Sequence, residues 1–129
     1  MKLSPEANSA VDVVYLWVDG TDSHWRSKRH AASNRSSPQD QHDLAIYGDV
    51  EGRYRDNEEL RFSLRALAQF FPDHGHVYIV TDHQVPAWLA LSERVSIVDH
   101  RDLIPHAALP TCDSSHIESY IHRIPGLSE

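Results

Sequence analysis

Apolar and polar positions alternate in two rhythms along this chain. Val11-Asp12-Val13-Val14-Tyr15-Leu16-Trp17-Val18 is nearly continuous apolar and rich in β-branched and aromatic residues. Such a run predicts a strand buried on both faces, the mark of a parallel sheet. His76-Val77-Tyr78-Ile79-Val80-Thr81 and Val95-Ser96-Ile97-Val98 repeat the pattern. Between the first two runs, Leu60, Leu64, Leu67 and Phe71 fall at helical spacing and predict one apolar helix face, with Arg61, Arg65 and Gln69 on another. Asp56 is the expected N-cap of that helix, with Glu59 at capping-box spacing, and Pro72 its stop. Shorter helices are expected over residues 24–32 with Asp22 as N-cap, and over 86–91 opened by Pro86. Another is expected after Ser115, paired with Glu118, carrying Ile117, Tyr120, Ile121 and Ile124. Residues 1–10 read as a flexible N-terminus, and 33–55 and 99–114 as loops.

Strands alternating with helices predict an α/β fold, an open and mostly parallel sheet with helical crossovers, in one domain over residues 11–129. Ligands of such folds bind beyond the carboxyl ends of the strands. Those ends carry Asp19-Gly20, Thr81-Asp82 and Asp99-His100, which directs the search for chemistry there.

The net charge of -7 disfavours a nucleic-acid partner, whose phosphates need a basic surface. A single cysteine, Cys112, forbids an internal disulfide, and no apolar run is long enough to span a bilayer. Together with the lack of a secretory layout at the N-terminus, these features lead us to expect a cytoplasmic protein. The ten histidines carry no HExxH or CxxC context, so no metal ligand is assigned from spacing. GxSxG, GxGxxG and P-loop patterns are absent as well.

Three segments could do chemistry. In Asp19-Gly20-Thr21-Asp22, Gly20 permits a tight turn and close approach to a ligand, and Asp19 could accept hydrogen bonds from a ribose or uracil, or hold Mg²⁺ through water. The same residues could form only a strand-end turn. Around the main helix start, Arg55, Asn57 and Arg61 could hold a diphosphate beside the helix N-terminus, or could be a solvated face. In Ser115-His116-Ile117-Glu118-Ser119-Tyr120-Ile121-His122-Arg123, a helix would put His116, Ser119 and Arg123 on one face. His116 and His122 are candidate general bases and Arg123 a candidate phosphate contact.

Taken in order, these pieces resemble the Stealth family. Residues 11–22 are similar to its first conserved region, and Arg55-Asp56-Asn57-Glu58-Glu59-Leu60-Arg61-Phe62-Ser63-Leu64-Arg65 to the opening of its second. So are Ile79-Val80-Thr81-Asp82 with Gln84-Val85-Pro86-Ala87-Trp88-Leu89, and Leu109-Pro110-Thr111 with His116-Ile117-Glu118 and His122-Arg123-Ile124-Pro125-Gly126-Leu127-Ser128-Glu129. Members include bacterial capsular polysaccharide phosphotransferases and the animal N-acetylglucosamine-1-phosphotransferase. The resemblance implies a nucleotide-sugar-transferase-like fold and transfer of a sugar-1-phosphate from a nucleotide sugar, a UDP-sugar foremost, to a glycan hydroxyl in capsule or exopolysaccharide synthesis. It implies Mg²⁺, and donor contacts at Asp19, Gly20, Arg55, Asn57, Arg61, Thr81 and Asp82, with His116, His122 and Arg123 near the reacting groups. The family continues past the Pro-Gly-Leu-Ser-Glu stretch into a strand with an Asp-Asp pair. An incomplete C-terminus, a second chain, or a catalytically inactive binding or assembly module are therefore also expected possibilities.

Overall fold

The computed structural model describes residues 10–35, 54–90, 92–111 and 114–128. The loop expected over 33–55 lies mostly outside these, as do nearly all of the N-terminus and Cys112. Three strands, β1 (Val13–Leu16), β2 (Val77–Thr81) and β3 (Val95–Asp99), form a parallel sheet in that order. The register pairs Val13 with Val77 and Val77 with Val95, and closes with Thr81 opposite Asp99. The three strands therefore start and finish nearly together, and their carboxyl ends share one pole of the molecule. This is the α/β architecture expected from the apolar runs.

Alternation along the strands divides the core. Val13, Tyr15, Trp17, Val77 and Ile79 face one side, where they pack with Leu60, Leu64 and Leu67. Tyr78, Val80, Val98, Val14 and Leu16 face the other, against Leu103, Ile104, Ile117 and Ile124. The central strand β2 is buried along its whole length, as its unbroken apolar run demands.

Helix α1 runs over Ser23–Arg35, longer than expected. Asp22 caps it: Oδ1 accepts the Trp25 N–H at 2.7 Å. Helix α2 covers Glu59–Phe70 and lays Leu60 onto the sheet. Its start corrects the expectation. The N-cap is Glu58, in the left-handed region at φ 64°, with no side-chain cap. Asp56 accepts the Glu58 N–H and Glu59 the Asn57 N–H, so both acids serve the turn that precedes the helix.

Three other expectations shift. Residues 86–90 make a single turn, closed by Leu89 N–H to Pro86 C=O, and no helix. The stretch after β3 is not a plain loop. It holds helix α3 (His100–Leu103), capped when Asp99 accepts the Arg101 N–H, and a 3₁₀ turn at His106–Ala108. The last helix splits into α4 (Ser114–Glu118) and a 3₁₀ turn (Ile121–Arg123). Ser115 sits inside α4, so it is not the N-cap of a capping box.

Candidate active site at the carboxyl ends of the strands

The turn after β1 builds itself. Asp19 Oδ1 accepts both the N–H and the hydroxyl of Thr21, at 2.9 and 2.6 Å. Gln84, from the loop after β2, then clamps the Asp19 backbone from both sides. Its Oε1 accepts the Asp19 N–H at 2.7 Å and its Nε2 donates to the Asp19 carbonyl at 3.0 Å. Gly20 donates its N–H to the Tyr54 carbonyl at 2.7 Å. A side chain at Gly20 would collide with that carbonyl, so the close approach depends on glycine. Tyr54 in turn packs at a tilt against buried Trp25 of α1, with ring centroids 5.2 Å apart, and Arg29 lies 4.3 Å from the centre of its ring.

That contact sets Arg55 beside the tip of β1. A cavity of about 300 Å³ opens there, lined by Tyr15, Leu16, Trp17 and Val18 on one side and by Arg55, Asp56, Glu59, Leu60 and Ser63 on the other. Asp56 and Glu59 spend one oxygen each on backbone N–H groups. Arg55 is exposed and meets no carboxylate among the described residues. Trp17 lines the cavity, and its buried indole N–H has no acceptor among the described residues.

Arg61 does not join Arg55. It pairs with Glu58 at 3.1 Å and lines a different groove, with Leu64, Arg65, Trp88 and Arg94, on the far flank of α2. Packing of Leu60, Leu64 and Leu67 on the sheet orients the helix, and that orientation turns Arg61 away from the cavity that Arg55 lines. Asn57 sits exposed in the turn before α2.

At the end of β2, Thr81 is fully buried with no hydrogen-bond partner for its hydroxyl among the described residues. Asp82 is nearly buried and bonds Lys28 of α1 at 2.5 Å. His83 takes a left-handed conformation, φ 57°, and donates its N–H to Asp99 at 3.0 Å. Its Nδ1 lies 3.4 Å from Asp82 and 3.8 Å from Asp99. Burial pulls Asp99 upward, but hydrogen bonds from Arg101 and His83 and the His83 charge outweigh it, leaving the carboxyl below its usual range. His100, 2 % exposed, is pushed towards the neutral form by burial, against the pull of Asp82 and Asp99.

These carboxylates do not fit Mg²⁺ as they stand. Mg²⁺ wants an octahedral set of oxygens. The Asp82–Asp99 pair brings a nitrogen ligand between its oxygens, and Lys28 already neutralises Asp82. Asp19 is turned onto Thr21.

The other three expected residues belong to the opposite face of the sheet from α2. Their segment packs there through Ile117, Tyr120, Ile121 and Ile124. His116 lies 3.2 Å from the Thr111 hydroxyl and edge-on to Tyr120. Arg123 donates to the Leu103 carbonyl at 3.2 Å and sits over the Tyr120 ring. His122 is exposed. Lys28, Tyr54, His83 and Gln84 are the site residues that periodicity alone missed. Gln84 entered the reading only through a motif, and its clamp on a residue 65 positions away has no local signal.

Comparison with known proteins identifies the family. Residues 10–37 match the Stealth protein conserved region 1 model, and residues 53–129 match that of conserved region 2. A capsular polysaccharide phosphotransferase of Actinobacillus suis is 42% identical over 123 residues, covering 94% of this chain and 32% of the relative. An exopolysaccharide phosphotransferase of Lactiplantibacillus plantarum is 42% identical over 120 residues, covering 92% and 33%. One from Streptomyces coelicolor is 44% identical over 131 residues, covering 98% and 21%. The chain thus spans about a third or less of the length of these relatives. The Gly20–Tyr54 contact is one of several that join the two conserved regions, and their presence in order shows that the chain belongs to the Stealth protein family.

Proposed function

We propose that this chain forms the donor-binding part of a sugar-phosphate transferase of polysaccharide synthesis, working in the cytoplasm on a nucleotide sugar, a UDP-sugar foremost. One observation carries the reading. Gly20 lets the β1 tip touch Tyr54, which presents Arg55 over a cavity at the carboxyl pole of a parallel sheet. In this reading the diphosphate lies against Arg55, whose planar guanidinium suits bidentate contact with phosphate. The Trp17 N–H and the turn around Asp19 and Gly20 meet the nucleoside. Asn57, Thr81 and Asp82 border the same pole. A glycan hydroxyl attacks the sugar-linked phosphorus, the bond to the bridging oxygen breaks, and nucleoside monophosphate leaves with that oxygen. Charge neutralisation and alignment supply the acceleration in reactions of this kind.

His116, His122 and Arg123 are proposed to serve the acceptor side, a histidine taking the hydroxyl proton. Mg²⁺ is proposed for the longer enzyme. When bound it would neutralise diphosphate charge.

Calorimetric titration of the chain with UDP-sugars tests the donor reading. Binding is expected, and Arg55→Ala should weaken it by roughly tenfold or more, the worth of a charged hydrogen bond. Arg61→Ala should change it little. Absence of binding by folded protein, or a larger loss from Arg61→Ala, would overturn the assignment.

A second reading has its own support. The strand-end carboxylates are engaged by protein donors, which suits a module that binds but does not turn over. Sugar-phosphate transfer by the isolated chain, abolished in Asp19→Ala, would exclude it.

A further inference from the structure

We propose that Asp82, His83 and Asp99 form a binding site for a divalent transition metal of the Zn²⁺ class, separate from the Mg²⁺ that the family implies. The proposal is independent of the donor-binding reading.

The geometry comes first. One ligand atom from each of the three side chains lies within 4.8 Å of the others. His83 Nδ1 is 3.4 Å from Asp82 Oδ1 and 3.8 Å from Asp99 Oδ2. Metal–ligand bonds of about 2.0–2.1 Å in a tetrahedron place neighbouring ligands roughly 3.3–3.4 Å apart. The three groups therefore need only small adjustment to close on one ion. One imidazole nitrogen with two carboxylate oxygens is a donor set for Zn²⁺ and its neighbours, and a poor one for Mg²⁺.

The surroundings point the same way. Asp82 and Asp99 are largely buried, with side chains 8% and 17% exposed, while His83 at 36% leaves an open approach. Two buried polar atoms on the chain neighbours of the carboxylates have no partner among the described residues: Thr81 Oγ1, next to Asp82 in sequence, and His100 Nδ1, next to Asp99. His100 is 2 % exposed and feels the charges of both carboxylates. Buried polar atoms are rarely left unpaired, and a metal with its bound water would supply partners here.

Lys28 is the competitor. Its ammonium sits 2.5 Å from Asp82 Oδ1 and does the work of a monovalent cation. A divalent ion must displace it, and Lys28, 25% exposed at its side chain, can withdraw to solvent. Arg101 stays on the other oxygen of Asp99, and Oδ2, which accepts the His83 N–H at 3.0 Å, keeps a second lone pair to ligate.

Opposite substitution effects make the proposal testable. The chain is titrated with Co²⁺, followed by its visible absorption, and the bound Co²⁺ is then displaced with Zn²⁺. One site per chain is expected. His83→Gly, which also relieves the left-handed backbone, and Asp99→Asn, which retains a helix cap, should each weaken it by at least about tenfold. Lys28→Met should tighten it, an outcome that misfolding does not imitate. Excess Mg²⁺ should not displace the ion. Equal affinity in the wild type, His83→Gly and Asp99→Asn would place the metal on other histidines and overturn the proposal. So would displacement by Mg²⁺, or a Lys28→Met variant that binds no more tightly.

Discussion

A methyl group at Gly20 would enter contact distance of the Tyr54 carbonyl, its carbonyl carbon and its Cβ at once. Two of those atoms are backbone, which cannot swing aside as a flexible side chain would. Gly20→Ala should therefore push residue 54 away from the β1 tip and break the Gly20–Tyr54 hydrogen bond. Overpacking and a lost bond together predict a loss of about 1–3 kcal/mol, read as a lower urea midpoint at unchanged slope. Donor affinity should fall with it, since Arg55 moves with its neighbour. The need for glycine was visible in Asp19-Gly20-Thr21-Asp22, but its reason was not. A turn signal says that the chain bends; which backbone passes close to the bend depends on packing.

The helix that carries Leu60, Leu64 and Leu67 shows how an element turns composition into geometry. Its apolar stripe is strong, and only Leu60 is fully buried, at 5% exposure. Leu60→Ala should cost about 2–5 kcal/mol, the usual range for a buried leucine. Phe62, 57% exposed on the same helix, should cost within about 0.5 kcal/mol when changed to Ala. Comparison of the two variants by chemical denaturation checks which face the sheet holds. The stripe could be read from i, i+4 and i+7 spacing, so the existence of α2 was legible. Its first residue was not. Asp56 and Glu59 look like capping partners, yet both bond into the preceding turn, and Glu58 in left-handed backbone opens the helix. Several polar side chains near one terminus offer equivalent local bonds, and propensity does not choose among them.

Across the molecule, Asp12 ties distant segments together at the pole opposite the candidate site. Its Oδ1 accepts the His76 N–H and its Oδ2 the Ser128 N–H, both at 2.8 Å. These bonds join the base of β1 to the base of β2 and to the segment that covers the other face. Burial raises the carboxyl's pKa, but the hydrogen bonds from Ser128 and His76 outweigh it, and the folded value lies below the ordinary 3.8. The group binds a proton more weakly when folded. Its contribution is thus fully present above pH 3.8 and is lost as pH falls through the lowered folded value. Asp12→Asn should lower stability at neutral pH by about 1–3 kcal/mol. It should also flatten the loss on acidification. Urea midpoints measured from neutral pH down to about pH 3 check both effects.

Apolar runs and helical spacing were enough to specify a parallel α/β sheet and its three strands, because burial of Val77–Thr81 on both faces leaves few alternatives. Residue order also carried the family, since its motifs are local strings. Folding alone settled which of these residues meet. Arg55 and Arg61 are close in sequence, but the seat of α2 on the sheet parts them. Asp82 and Asp99 are far apart in sequence, and parallel pairing of Thr81 with Asp99 draws them around His83. Such contacts arise from strand register and helix rotation, which depend on the whole packed core, so no window of the chain contains them.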